Sequence, residues 1–189
     1  FRLAGRERQQ SASYYTPEVL TRFTVEQALA ELLDQDGQRT PACDILALTV
    51  CEPALGSGAF AIEAVRQLAE QYLTRRQEEL GERIDPDQYA TELQRVKAYI
   101  ALHQVYGVDL NPTAVEFAEI TLWLSTMGEG LDAPWFGLHL RRGNSLVGAR
   151  RAIVPAAALR EQGWLESTPV DSPLAGLGED LDGGVHHFL

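Results

Sequence analysis

The chain has little cysteine, no long apolar run and a shortage of positive charge. Cys43 and Cys51 are the only cysteines among 189 residues. Neither belongs to a CxxC pair, which argues against a disulfide framework or a cysteine zinc site and leaves both as small core residues. No apolar run approaches the roughly 20 residues of a membrane span, and no signal-peptide pattern opens the chain. The expectation is a soluble cytoplasmic protein with no membrane partner. Lys and Arg number 16 against 27 Asp and Glu, a net charge of −11 that repels phosphate and argues against nucleic-acid binding by the chain as a whole. Arg141, Arg142, Arg150, Arg151 and Arg160 form a local basic stretch, which a solvated loop face explains as well as a DNA grip. His186 and His187 are adjacent, without the spacing to converge on a metal, so no metal site is expected.

An apolar fraction of 45% suffices for one substantial core and falls short of two ordinary domains. Phe1 and the apolar ending His187-Phe188-Leu189 read as cuts within a longer polypeptide. Residues 1–13 read as a linker or tail and 14–154 as the ordered domain. Beyond Val154 alanine, glycine, proline and acid replace periodicity, so 155–189 reads as a loop-rich insertion or linker.

Thr16 is expected to cap a helix with Pro17 at its first position, and Thr24-Val25-Glu26-Gln27 looks like a second capping box, so 17–34 holds two short helices or one bent one. Ile45–Cys51 is a near-continuous apolar run of the kind a buried parallel strand shows. A helix of about four turns follows from Gly58 through Leu73. Another starts at Asp85-Pro86, a strand covers Val105–Asp109, Thr113 caps a third major helix, and Phe136–Leu140 forms a last strand. Trp123 sits in that third helix as a core residue, and neither Trp135 nor Trp164 receives a role. Strands alternating with helices indicate an α/β domain with a parallel sheet.

Glu52-Pro53-Ala54-Leu55-Gly56-Ser57-Gly58 lies between the first strand and its helix, where sheets of this kind bind ligands. Gly56 and Gly58 permit a sharp turn and close backbone approach, and the helix-start amides favour an anionic group. The spacing also fits the dinucleotide pattern G-x-G-x-x-G/A, yet the ribose acid expected about 20 residues onward is missing. Glu52, ahead of the glycines, can accept a hydrogen bond from an ammonium group, so a zwitterionic amino-acid moiety suits the turn better than a pyrophosphate. Asp109 ends the second strand, where its carboxylate can accept both hydroxyls of a ribose; capping the helix after Pro112 is its alternative role. Leu110 would pack beside an adenine ring.

These segments resemble the amino (N6-adenine) class of DNA methyltransferases, especially the large type IIG and phage-defence enzymes. Tyr14-Tyr15-Thr16-Pro17 is similar to their motif X, Glu52 to Phe60 to motif I, Gly107-Val108-Asp109-Leu110-Asn111-Pro112 to motif II, and Gly143-Asn144-Ser145-Leu146 to motif III. The resemblance implies a Rossmann-like methyltransferase fold, incomplete in this chain, with S-adenosylmethionine as cofactor and 14–154 as the cofactor-binding part. It implies that Tyr15, Thr16 and Pro17 help hold the methionine part, that Glu52, Pro53, Ala54, Gly56 and Gly58 hold the amino acid, and that Asp109 and Leu110 hold the ribose and ring. Asn144 and Ser145 would lie at the adenine, with Asn144 toward its amino group.

Leu55 stands where the family often has cysteine, and Asn144 where many members have aspartate. Motif IV, an Asn/Asp-Pro-Pro-aromatic sequence that holds the target amine, is absent, and its expected position is after residue 189. The resemblance therefore places no catalytic residue in this chain and implies double-stranded DNA as partner of the full-length enzyme, with restriction or defence-system subunits as further partners. A non-catalytic module binding S-adenosylmethionine or a nucleoside within a larger complex is the alternative.

Overall fold

In the computed structural model the described residues are 16–128, 130–131, 133–137, 139–146, 149–155, 170–171 and 184–188, with only the strand course given from 149 onward. They belong to two compact units, Phe1–Gly143 and Asn144–Leu189.

The first described element is α1, Glu18–Leu32, a single helix. Pro17 occupies its N-cap position and no side chain caps the end, so Thr16 does not serve as the expected cap. The Thr24–Gln27 segment lies inside α1, where its amides are satisfied by the helix itself and a capping box has nothing to cap. A 3₁₀ turn at Gln35–Gly37 follows. Asp34 closes this loop: its carboxylate accepts from Thr40 N at 2.7 Å and from Arg75 Nη2 at 2.9 and 2.8 Å.

The apolar run at 45–51 divides between two elements. Ile45 ends the short helix α2, Ala42–Ile45, and the strand β1 is only Val50–Glu52. Gln104 Nε2 donates to Ile45 O and Leu48 O, each at 2.7 Å, so these carbonyls are taken by a side chain instead of a strand ladder. Helix α3, Ala59–Leu80, is 22 residues long and outruns the expected four turns. Gly58 starts it and Gly81 ends it, both with left-handed backbone. Helix α4, Pro86–Gln104, begins with Asp85 accepting from Asp87 N. Strand β2, Val105–Asp109, coincides with expectation. Helix α5, Pro112–Thr126, is capped by Asn111, whose Oδ1 accepts from Thr113 N at 3.0 Å; the cap thus falls two positions before Thr113. Strand β3 is Leu140–Arg142, later than expected, because the buried Phe136 closes a turn onto Leu140 N first.

The order in the sheet is β1-β2-β3, all parallel, with Val50 opposite Val105 and Gly107 opposite Leu140. Ile45, Leu55, Val65, Leu68, Ile100, Val105 and Leu122 form the fully buried centre of the core. Both cysteines are exposed, against expectation: Cys43 lies in the small helix α2, and Cys51 on β1, at the sheet's edge among the described strands. Helix α5 is apolar on two sides. Val115, Ala118 and Leu122 face inward, whereas Phe117, Ile120, Leu124 and the following Met127 are exposed, as is Trp123, expected in the core.

The second unit contains an antiparallel sheet in the order β5-β4-β6, made of β4 (Ala149–Pro155), β5 (Val170–Asp171) and β6 (Gly184–Phe188). Strands thus appear in 155–189, which read as loop-rich. Pairing between segments this far apart leaves no local periodicity to read. Arg160 and Trp164 lie outside the described residues.

Candidate functional site

The glycine turn sits at the carboxyl end of the parallel sheet and is held by β2 and α5. Leu55 N donates to Val108 O at 3.0 Å, and Gly58 N closes the turn on Leu55 O at 2.8 Å. Leu55 is 1% exposed and packs on Gly107 so closely that a Cβ there would lie 2.6 Å from Leu55 Cδ1. Gly56 has φ +53° and Gly58 φ +78°, a region that side chains rarely adopt. A Cβ on Gly58 would also meet Ala118 Cβ at 3.3 Å. Thr121 Oγ1 lies 2.7 Å from Ser57 O, tying the turn to α5.

Asp109 meets the turn directly. Its Oδ2 accepts from Gly56 N at 2.8 Å, and its Oδ1 accepts from Asn111 N at 2.8 Å. A carboxylate offers about four lone-pair sites, so two intramolecular bonds leave acceptor capacity for a ligand's hydroxyls. Capping α5 belongs to Asn111, so that alternative role of Asp109 is not what the structure contains.

Glu52 is 9% exposed and its Oε2 accepts from Ala61 N at 3.0 Å, in the first turn of α3. It lines a cleft of about 430 Å³ whose other walls are mostly apolar, including Val25, Ala28 and Leu29 of α1, Phe60, Ala64 and Leu68 of α3, and Pro53 and Ala54 of the turn. Burial, aided by the Asp109 charge, pushes its carboxyl from 4.5 up to about 7, although the Ala61 and Phe60 amides pull the other way. A raised acid pKa means that Glu52 supports the fold fully below about 4.5 and loses that contribution as pH rises through about 7. Glu52→Gln is therefore expected to gain roughly 2 kcal/mol of stability relative to wild type between about pH 5 and about pH 8. Urea unfolding at both pH values reads this, and a pH-independent difference would refute it.

The structure thus brings together Glu52, Pro53, Ala54, Gly56, Gly58 and Asp109 around one turn. Leu110 follows Asp109 and is 60% exposed. Thr16 and Pro17 precede α1, which supplies one wall of the cleft; Tyr15 lies outside the described residues. Asn144 and Ser145 fall in the second unit, where Asn144 Oδ1 accepts from Leu146 N at 2.9 Å. Arg141 and Arg142 are exposed on β3. Sequence reasoning missed Ala118 and Thr121. The available signal was a small residue and a hydroxyl one helical turn apart on the helix that follows Asp109. Among the described residues no group of three or more His, Cys, Asp or Glu could hold a metal ion, and no helix is long and apolar enough to cross a membrane.

A glycine turn between a parallel strand and its helix, faced by an acid at the end of the neighbouring strand, is the ligand-binding arrangement of a Rossmann-like α/β domain. The profile of the MmeI DNA-methyltransferase domain family matches residues 38–168, and the chain belongs to that family. A protein of Methanocaldococcus jannaschii, provisionally named a type II restriction enzyme and methyltransferase, is 29% identical over 189 aligned positions, which cover 77% of this chain and 15% of that protein. The chain therefore spans a small part of this relative's length. Among solved structures, the M protein of the EcoKI type I restriction enzyme is similar at 22% identity and a TM-score of 0.37, over 71% of this chain and 21% of that one.

Proposed function

We propose that these residues form the S-adenosylmethionine-binding portion of a DNA adenine-N6 methyltransferase of a restriction-modification or phage-defence system, working in the cytoplasm on double-stranded DNA. The observation that carries the reading is the bond from Gly56 N to the Asp109 carboxylate, which joins the glycine turn and the acid within the family-matched stretch. Asp109 would take the ribose hydroxyls, with Leu110 beside the ring. Glu52 and the Gly56–Gly58 turn would take the amino acid. Thr16 and Pro17, just ahead of the helix that walls the cleft, would lie toward the methionine part. The residues fit such a ligand, since an acid with spare acceptor capacity and an apolar cleft holding one buried carboxylate match a ribose and a methionine-like chain that carries an ammonium.

When bound, the cofactor supplies an electrophilic methyl group. The protein's own task is to hold it and orient it toward an extruded base. Asn-Pro-Pro-aromatic does not occur among the 189 residues, so transfer to adenine needs groups from elsewhere in the enzyme. A binding module without transfer is the second reading, and an Asn-Pro-Pro-aromatic sequence downstream in the full-length enzyme would separate the two.

Calorimetric titration with S-adenosylmethionine and separately with NAD tests the proposal. Selective binding of S-adenosylmethionine is expected; preference for NAD would sink the reading. Robust adenine methylation by these 189 residues alone would overturn the claim that the target-base groups lie elsewhere.

A further inference from the structure

Two glycines with positive φ make the 56–58 turn permissive as well as sharp, so something must hold it in one conformation. The Thr121 hydroxyl lies within hydrogen-bonding distance of three carbonyls: Ser57 O at 2.7 Å, Phe117 O at 2.8 Å and Ala118 O at 3.2 Å. It has one proton to donate. Phe117 and Ala118 belong to its own helix, and a bond to either would be the ordinary back-bond of a helical threonine. Ser57 O is the nearest of the three and belongs to another element.

A bond to Ser57 O has consequences beyond the contact itself. The peptide unit is planar and trans, so fixing the Ser57 oxygen also fixes the Gly58 N–H at the other end of the same plane. That N–H closes the turn on Leu55 O. Both ends of one peptide are then held, one from α5 and one from within the turn, and the negative end of its dipole is directed at α5. Ala118, one helical turn earlier on the same face, packs against Gly58 and sets the distance at which Thr121 can reach.

We propose that Thr121 is a positioning residue that preorganises the glycine turn for the amino-acid moiety of the cofactor. The inference rests on the S-adenosylmethionine reading given above. The ligand's nucleoside half is assigned to Asp109 and Leu110, and Asp109 keeps its second bond, to Asn111 N, so loss of Thr121 should be felt mainly by the amino-acid half. Thr121→Val keeps the shape and removes the donor, and Thr121→Ser keeps the donor.

The test is titration of wild type, Thr121→Val and Thr121→Ser with S-adenosylmethionine and with methylthioadenosine, which keeps the nucleoside and the methyl-bearing sulfur, now an uncharged thioether, but lacks the amino-acid chain. Thr121→Val is expected to weaken S-adenosylmethionine binding about tenfold, to leave methylthioadenosine within about twofold, and to be rescued by serine. Unchanged S-adenosylmethionine binding, equal losses for both ligands, or failure of serine to rescue would each overturn the role of Thr121 while leaving the cofactor reading intact. A wild-type chain that binds no S-adenosylmethionine overturns the cofactor reading, and this inference with it.

Discussion

Asp109→Ala is expected to weaken S-adenosylmethionine binding by about a hundredfold, the largest effect of any single change at the turn. Two losses combine. On the proposed reading the ligand loses a charged acceptor for its ribose hydroxyls, and hydrogen bonds to a charged group contribute about 1.5–3 kcal/mol. The turn also loses the Oδ2 partner of Gly56 N, and the start of α5 loses the Oδ1 partner of Asn111 N. Asp109→Asn retains an oxygen acceptor but offers an amide where the second oxygen stood, so it should fall between wild type and alanine. Titration calorimetry measures the affinities, and thermal unfolding reports separately on the fold. Wild-type affinity in Asp109→Ala would show that this acid belongs to the architecture of the turn and not to ligand binding.

The second large effect concerns stability and is expected to be non-additive. Leu55 is fully buried, so Leu55→Ala should cost about 2–5 kcal/mol through lost burial and the cavity left behind. Gly107→Ala should cost about 1–3 kcal/mol by overpacking, because its new Cβ would sit 2.6 Å from Leu55 Cδ1 and 3.0 Å from Cδ2. In the double variant the obstructing side chain is gone and the added methyl occupies part of the vacated space. The pair should therefore cost less than the two single changes together, with a coupling of about 1 kcal/mol or more. Urea unfolding of the four proteins completes the cycle. Simple additivity would mean that the backbone of β2 and the turn separates to relieve the contact.

What the sequence disclosed well were features decided by neighbouring residues. Strand β2 ends on Asp109 as expected because a short apolar strand and its terminal acid are contiguous, and Asp85-Pro86 starts α4 by a cap within its first turn. The glycine turn was legible for the same reason: positive φ at Gly56 and Gly58 is a local requirement that glycine meets. Distant residues decided the rest. Nothing between Ile45 and Cys51 says that Gln104 will take two of that run's carbonyls and leave β1 three residues long. Cys51 looks like a core residue until β1 is known to lie at the edge of the described sheet. Thr121 is an ordinary helical threonine until Ser57 is placed beside it. In the second unit, β4 pairs with segments some distance along the chain, which composition alone had made look structureless.

The outward face of α5 bears on how the molecule behaves at concentration. Phe117, Ile120, Leu124 and Met127 recur at spacings of three and four, forming one exposed apolar stripe along the helix. Such a stripe favours association, whereas a net charge of −11 keeps copies apart over the reach of the Debye length. Dissolved salt shifts this balance in one direction, since it shortens that reach, and excluded anions such as sulfate also strengthen apolar burial. Raising ionic strength, with sulfate above all, is therefore expected to draw copies together through this helix face, and light scattering across a salt series would read it.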